Sequence, residues 1–169
     1  LFWLLSTCTV LTFMIWTGLG HARALRLQNQ ESDTERMLGV MRSRGLSEVS
    51  GLALAGGESL RLWAHNDSGD AARLFLVSGG GESLMEVELE GASHTDWEDI
   101  CGFECAGTRY LLVGDIGDNA ARRSDCQLYL LPEPNYSPET TAEGRGPQKR
   151  KVTPQRISFR FEDGPRNCE

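Results

Sequence analysis

The sequence predicts an all-β chain assembled from repeated four-stranded antiparallel units, and three observations carry that prediction. Short apolar runs separated by turn residues recur from Glu48 onward, which is the pattern of a strand meander. The phrase Asp-x-Gly-Asp occurs twice, as Asp67-Ser68-Gly69-Asp70 and Asp115-Ile116-Gly117-Asp118, each time just after an apolar run. The two copies lie 48 residues apart, and the same offset relates Ser50 to Glu98 and Leu52 to Ile100. A sustained internal period of this length marks a repeat architecture.

Taken in order, the chain opens with an uncharged apolar run from Leu1 to Leu19, followed by Ala22-Arg23-Ala24. An apolar segment ending in a small-residue cleavage pattern reads as a signal peptide over residues 1–24, incomplete at its start because the basic segment is missing. The expected destination is outside the cell or the periplasm. The competing reading is an uncleaved anchor, since about 18 apolar residues can span a bilayer. Residues 25–45 are polar and mixed in charge, and read as a tether.

The first unit, residues 46–91, is expected to hold strands near Ser50–Ala55, Leu60–His65, Ala72–Val77 and Leu84–Glu90, with Gly56-Gly57 and Gly79-Gly80-Gly81 at turns. Met85 to Glu90 alternates strictly between apolar and acidic, which suits an outer strand with one wet face. The second unit, residues 92–163, is expected near Glu98–Phe103, Arg109–Gly114, Gln127–Leu131 and Gln155–Phe161. Between its last two strands, residues 132–154 are rich in Pro, Gly, Thr and charge, and read as a solvated loop whose basic run, Gln148-Lys149-Arg150-Lys151, is a wet face. Residues 164–169 parallel Gly91 to Glu98 and read as the start of a third unit, with the chain cut short.

The chain carries 17 Lys and Arg against 24 Asp and Glu, a net charge of −7, and loss of the leader removes one more positive charge. Nucleic acid is therefore not an expected partner, because phosphate binding needs a basic face. Four cysteines follow the leader: Cys101, Cys105, Cys126 and Cys168. In an oxidising compartment an even number reads as disulfides with three possible pairings, zinc between Cys101 and Cys105 being the alternative.

Repeated four-stranded units of this length resemble blades of a β-propeller. The phrases Trp63 to Asp70, Asp96-Trp97-Glu98-Asp99-Ile100, Gly114 to Arg123 and Pro132-Glu133-Pro134 resemble those of exported bacterial propellers of the phytase-like and SdiA-regulated type. The resemblance covers Leu46 to Glu169. It implies about six blades in an intact propeller, of which this chain holds two and the start of a third. Phytase-type propellers join calcium-binding acids to basic residues that hold substrate phosphate. Arg73, Arg122 and Arg123 follow the acid turns here, without a match to that basic set.

In an up-and-down sheet, the start of the first strand and the end of the second share one end, with neighbouring strands about 4.8 Å apart. That geometry gathers Glu98, Asp99, Asp115 and Asp118 at one rim, with Ser50, Asp67 and Asp70 in the corresponding places of the preceding unit. Calcium takes six to eight oxygen ligands. The expected metal ligands are Asp67, Glu98, Asp115, Asp118 and Asn119, and the expected ligand-binding residues are Asn66, Asp70, Asp99, Arg122 and Arg123. The competing reading is turn chemistry, with the carboxylates accepting backbone N–H bonds and glycine taking positive φ. Trp63 and Trp97 read as core, and neither His65 nor His94 has a nucleophile to pair with. The functional expectation is an exported propeller with a calcium-binding rim, hydrolysing phosphoesters in the phytase manner; the alternative is a non-catalytic binding propeller at the cell surface or in the periplasm.

Overall fold

A computed structural model describes residues 36–138 and 146–168. The expected leader, residues 25–35 of the expected tether and residues 139–145 of the expected loop lie outside them. The chain divides into Leu1–Met37 and Leu38–Glu169, and all strands of the described residues belong to the second unit. Among the described residues, no helix is long and apolar enough to cross a membrane.

The fold is all-β with two sheets. Its strands are β1 (Val49–Leu54), β2 (Arg61–Asn66), β3 (Arg73–Ser78), β4 (Ser83–Leu89), β5 (Trp97–Cys105), β6 (Thr108–Asp115), β7 (Cys126–Pro132), β8 (Gln148–Val152) and β9 (Gln155–Phe159). Sheet one runs β1-β2-β3-β4-β8 and sheet two β5-β6-β7-β9. All pairings are antiparallel except β4 with β8.

That parallel fifth strand corrects the expectation of a solvated loop. Lys149 lies opposite Glu86 and Lys151 opposite Glu88, and Lys151 Nζ reaches Glu88 at 3.1 Å and Glu90 at 3.9 Å. Cross-strand opposite charges favour such pairing, so the basic run is held by the acidic alternation of β4. The tether also has a place on the sheet over its last residues: Arg42 N donates to the Gly81 carbonyl at 2.8 Å, and Gly45 lies against the Phe75 ring, where a side chain would collide.

The core lies between the sheets. Trp63, Leu76 and Met85 of sheet one pack in one cluster with Trp97, Ile100, Val113 and Tyr129 of sheet two. The repeat decides which faces meet. Leu52 is 51% exposed, whereas its counterpart 48 residues on, Ile100, is 3% exposed. Ala53 is buried and its counterpart Cys101 is exposed. The sheets therefore pack head to tail, opposite faces in contact, rather than by a twofold that would bury equivalent faces.

One end of this junction is tied by Glu133, just past β7. Its Oε1 accepts from Gly56 N at 2.7 Å and Trp63 Nε1 at 2.9 Å, and its Oε2 accepts from Arg109 Nε at 2.7 Å. Burial pushes the Glu133 carboxyl up, but the Arg109 guanidinium, the Trp63 indole and the Gly56 amide outweigh it and hold the group below the ordinary glutamate value. The stability this contributes is present above about pH 4.5, the unfolded value, and is lost as pH falls through the lower folded pKa. Glu133→Gln is expected to cost about 1.5–3 kcal/mol at neutral pH and to flatten the acid limb of the stability profile. Urea unfolding between pH 3 and 7 reads this, and an unchanged acid limb would contradict it.

Candidate functional site

At the opposite end of the junction, β1 and β5 run side by side, and each carries a bulge at the same place in the repeat. In sheet one the register slips between Val49 and Gly51, and in sheet two between Trp97 and Asp99. The extra residues are Ser50 and Glu98, and Ser50 Oγ donates to the Glu98 carbonyl at 3.1 Å and to its carboxylate at 3.4 Å. A bulge re-aims the side chain it carries.

Glu98 is thereby turned toward Asp67, at the end of β2, and Asp96, just ahead of β5. One oxygen of each of these three carboxylates lies within 4.8 Å of the others, and all three residues are half-buried. Asp96 and Glu98 flank the fully buried Trp97, and the bulge at Glu98 brings its carboxylate beside that of Asp96. The second acid turn closes over them. Ile116 N and Gly117 N both donate to the Asp96 carbonyl at 3.1 Å, and a side chain at Gly117 would strike the Glu98 and Asp96 carboxylates.

The electrostatics of this cluster are unfavourable as it stands. Asp96 is held above the ordinary aspartate value by burial and then by the Asp67 carboxylate beside it. A hard divalent cation relieves that repulsion, and carboxylate oxygens are the donors it prefers. The three carboxylates are close enough together that they could hold such an ion, and they pack directly against Gly117.

The structure brings together only two of the five residues expected to bind metal, Asp67 and Glu98, and adds Asp96. Asp115 is fully buried and engaged elsewhere: its Oδ1 accepts from Arg123 at 2.8 Å and from Asp96 N at 3.0 Å, and its Oδ2 accepts from Ser93 Oγ at 3.2 Å. Asp118 accepts from Arg123 N at 2.7 Å, and the Arg122 amide, ahead of the cost of burial, holds its carboxyl below the ordinary value. Asn119 is exposed, its Oδ1 3.4 Å from Asn167 Nδ2.

Among the expected ligand-binding residues, Asn66 is a backbone clamp. Its Oδ1 accepts from Ser47 N at 3.0 Å and its Nδ2 donates to Gly45 O and Asp70 Oδ2, each at 2.7 Å. Asp70 binds Arg73 through both oxygens. Asp99 is exposed and accepts from Ile100 N at 2.7 Å. Arg123 is taken by Asp115, and Arg122 is exposed.

The histidines serve the scaffold. His94 Nδ1 lies 2.7 Å from the Asp70 carbonyl, and both rings stand edge-on to Trp97, with centroids 4.6 Å (His94) and 5.5 Å (His65) away. Burial lowers the His65 pKa. The four cysteines are free thiols.

The register explains the redistribution of the acids. Val49 pairs with Asn66 and Trp97 with Asp115, so the two units align 48 residues apart on their first strand and 49 on their second. Asp115 corresponds to Asn66, and both accept backbone amides ahead of the first strand. Asp67 corresponds to Ile116, one residue past the clamp and available to the cluster. Asp96 could have been found from its place next to Trp97 and two residues before Glu98, whereas the bulge that brings the two carboxylates together has no sequence signal. Comparison with protein-family models, with curated proteins and with solved structures finds no match to this chain.

Proposed function

We propose that this chain supplies two adjoining blades of an exported β-propeller, with a calcium ion at the blade junction between Asp67, Asp96 and Glu98. The observation that carries the reading is the convergence of carboxylates from both repeats, one of them re-aimed by a bulge, under a turn that tolerates only glycine. Head-to-tail packing supports the propeller, because it leaves one open face on each sheet for a further unit, and radial repeats close in that way.

The cation would join the blades, and its open positions would hold a ligand. Phosphoester hydrolysis of the phytase type is the enzymatic version of this reading. It rests on Arg122, the exposed cation of the second acid turn. Arg73 and Arg123 are committed to Asp70 and Asp115, which favours the second reading, a non-catalytic binding propeller at the cell surface or in the periplasm.

Thermal unfolding under calcium titration tests the cation. A melting point that climbs with calcium is expected, by an amount worth about 2.7 kcal/mol at a hundredfold excess over Kd, and Asp67→Asn or Glu98→Gln should abolish the climb. The effect should fade as pH falls through the raised Asp96 pKa, because a proton then competes for the carboxylate. Without calcium the sign reverses: the folded state holds that proton more tightly than the unfolded chain, so stability declines as pH rises from about 3.8 through the raised value. No shift at millimolar calcium would remove the ion from the site. Calcium-dependent phosphate release that Arg122→Gln reduces would select hydrolysis, and a calcium shift without release would select binding.

A further inference from the structure

The Glu133 end of the junction holds a cavity of about 510 Å³, within the size range of small-molecule sites. Its charged lining consists of Arg61 at the start of β2, Arg109 in β6, and Glu133. The Gly56-Gly57 turn between β1 and β2 packs directly on both arginines: a side chain at Gly57 would strike Arg61 Nη2, and one at Gly56 would strike Arg109 Nε.

The two arginines differ in what they hold. Arg109 is matched by Glu133, whose other oxygen is taken by Gly56 N and Trp63 Nε1. Arg61 has no carboxylate partner among the described residues, whereas Arg73, Arg109 and Arg123, the other half-buried arginines there, each have one. Of the five N–H donors of its guanidinium, one is used among the described residues, from Nη2 to the Gly56 carbonyl at 2.6 Å, and Nε is buried with no acceptor. The Tyr136 ring stands 5.5 Å from Cζ, and a π face attracts the charge without neutralising it.

A half-buried charge without a counter-charge is costly, and the charged lining of the cavity sums to one positive charge. A monoanion balances it. A phosphate monoester, with a charge of about −1.5 to −2, would overbalance it and press on the Glu133 carboxylate. A carboxylate also matches the planar fork of arginine, and Ala55, Pro132 and Pro134 give the cavity an apolar wall.

We infer that this cavity binds a small organic carboxylate, with Arg61 holding the carboxylate and the proline wall receiving the apolar remainder of the molecule. The site lies at the end of the junction opposite Asp67, Asp96 and Glu98, so it does not rest on the calcium reading.

The probe is benzoate, added to the full chain in EDTA, with benzamide as its neutral counterpart and inorganic phosphate as the more highly charged one. In proton–nitrogen correlation spectra the Arg61 Nε–H and Trp63 indole signals report on the cavity, Trp63 through its bond to Glu133. Benzoate is expected to move both signals along a saturating curve, with benzamide and phosphate binding about tenfold more weakly or worse. Arg61→Gln should weaken benzoate by a similar factor. No saturable shift at tens of millimolar benzoate would overturn the site, and this arm needs only the wild-type chain. Benzamide binding as tightly as benzoate, or a folded Arg61→Gln variant that binds benzoate unchanged, would overturn the role of Arg61. Phosphate binding more tightly than benzoate would overturn the choice of a carboxylate.

Discussion

Asp115→Asn is expected to cost the fold about 3–5 kcal/mol, the penalty for stranding one charge of a buried pair. Asp115 is fully buried, and the Arg123 side chain beside it is 17% exposed. The carboxylate also receives the amide of Asp96 and the hydroxyl of Ser93, so it fixes the chain entering β5. Asparagine keeps the shape but leaves the Arg123 guanidinium without its counter-charge. The first repeat indicates what a tolerant background would need, since Asn66 occupies the equivalent position and the nearby Arg73 is neutralised by Asp70 instead. Combining Asp115→Asn with Arg123→Met should therefore recover part of the loss. Urea unfolding of the two single variants and the double variant measures this coupling. A double variant no more stable than Asp115→Asn would rule out charge stranding as the cause.

Trp97→Ala is expected to cost a similar 3–5 kcal/mol, the usual penalty for emptying a buried aromatic site. The indole is fully buried between His65, His94 and Tyr129, and its Nε1 donates to the Ser93 carbonyl at 2.9 Å. Trp97→Phe, which keeps most of the volume and loses one hydrogen bond, should cost less than half as much. The alanine variant should also lose any calcium response, because Trp97 anchors in the core the chain between Asp96 and Glu98. Unfolding midpoints with and without calcium check both statements. An alanine variant that keeps its calcium response would separate the cluster from the core.

Eight of the nine strands of the described residues were legible in the sequence, because each is a short apolar or alternating run ended by turn residues; the observed bounds lie within two residues of the expected ones. The ninth, β8, was not. Gln148-Lys149-Arg150-Lys151 has no apolar face of its own, and its extended form comes from the glutamates of β4, more than sixty residues earlier. The site was legible only in part, for a reason of register. One offset of 48 residues made Asp67 and Asp115 equivalent, but the second strands align at 49. That one-residue slip sends one aspartate to the cluster and buries the other against an arginine. The glycines diverge in the same way: Gly69 takes φ +82° as a turn glycine should, whereas Gly117 is required because two carboxylates press on its Cα.

The strand that completes sheet one imposes an order of events on synthesis. When β4 leaves the ribosome its outer edge has no partner, and Lys151, which pairs beside Glu88, emerges 63 residues later, after most of sheet two has been made. At about 5–20 residues per second, that edge stays open for several seconds and could template aggregation. Glu86, Glu88 and Glu90 line it throughout that interval. The same glutamates that later receive the lysines thus first guard the nascent chain, repelling other copies of the edge until the matching basic strand arrives.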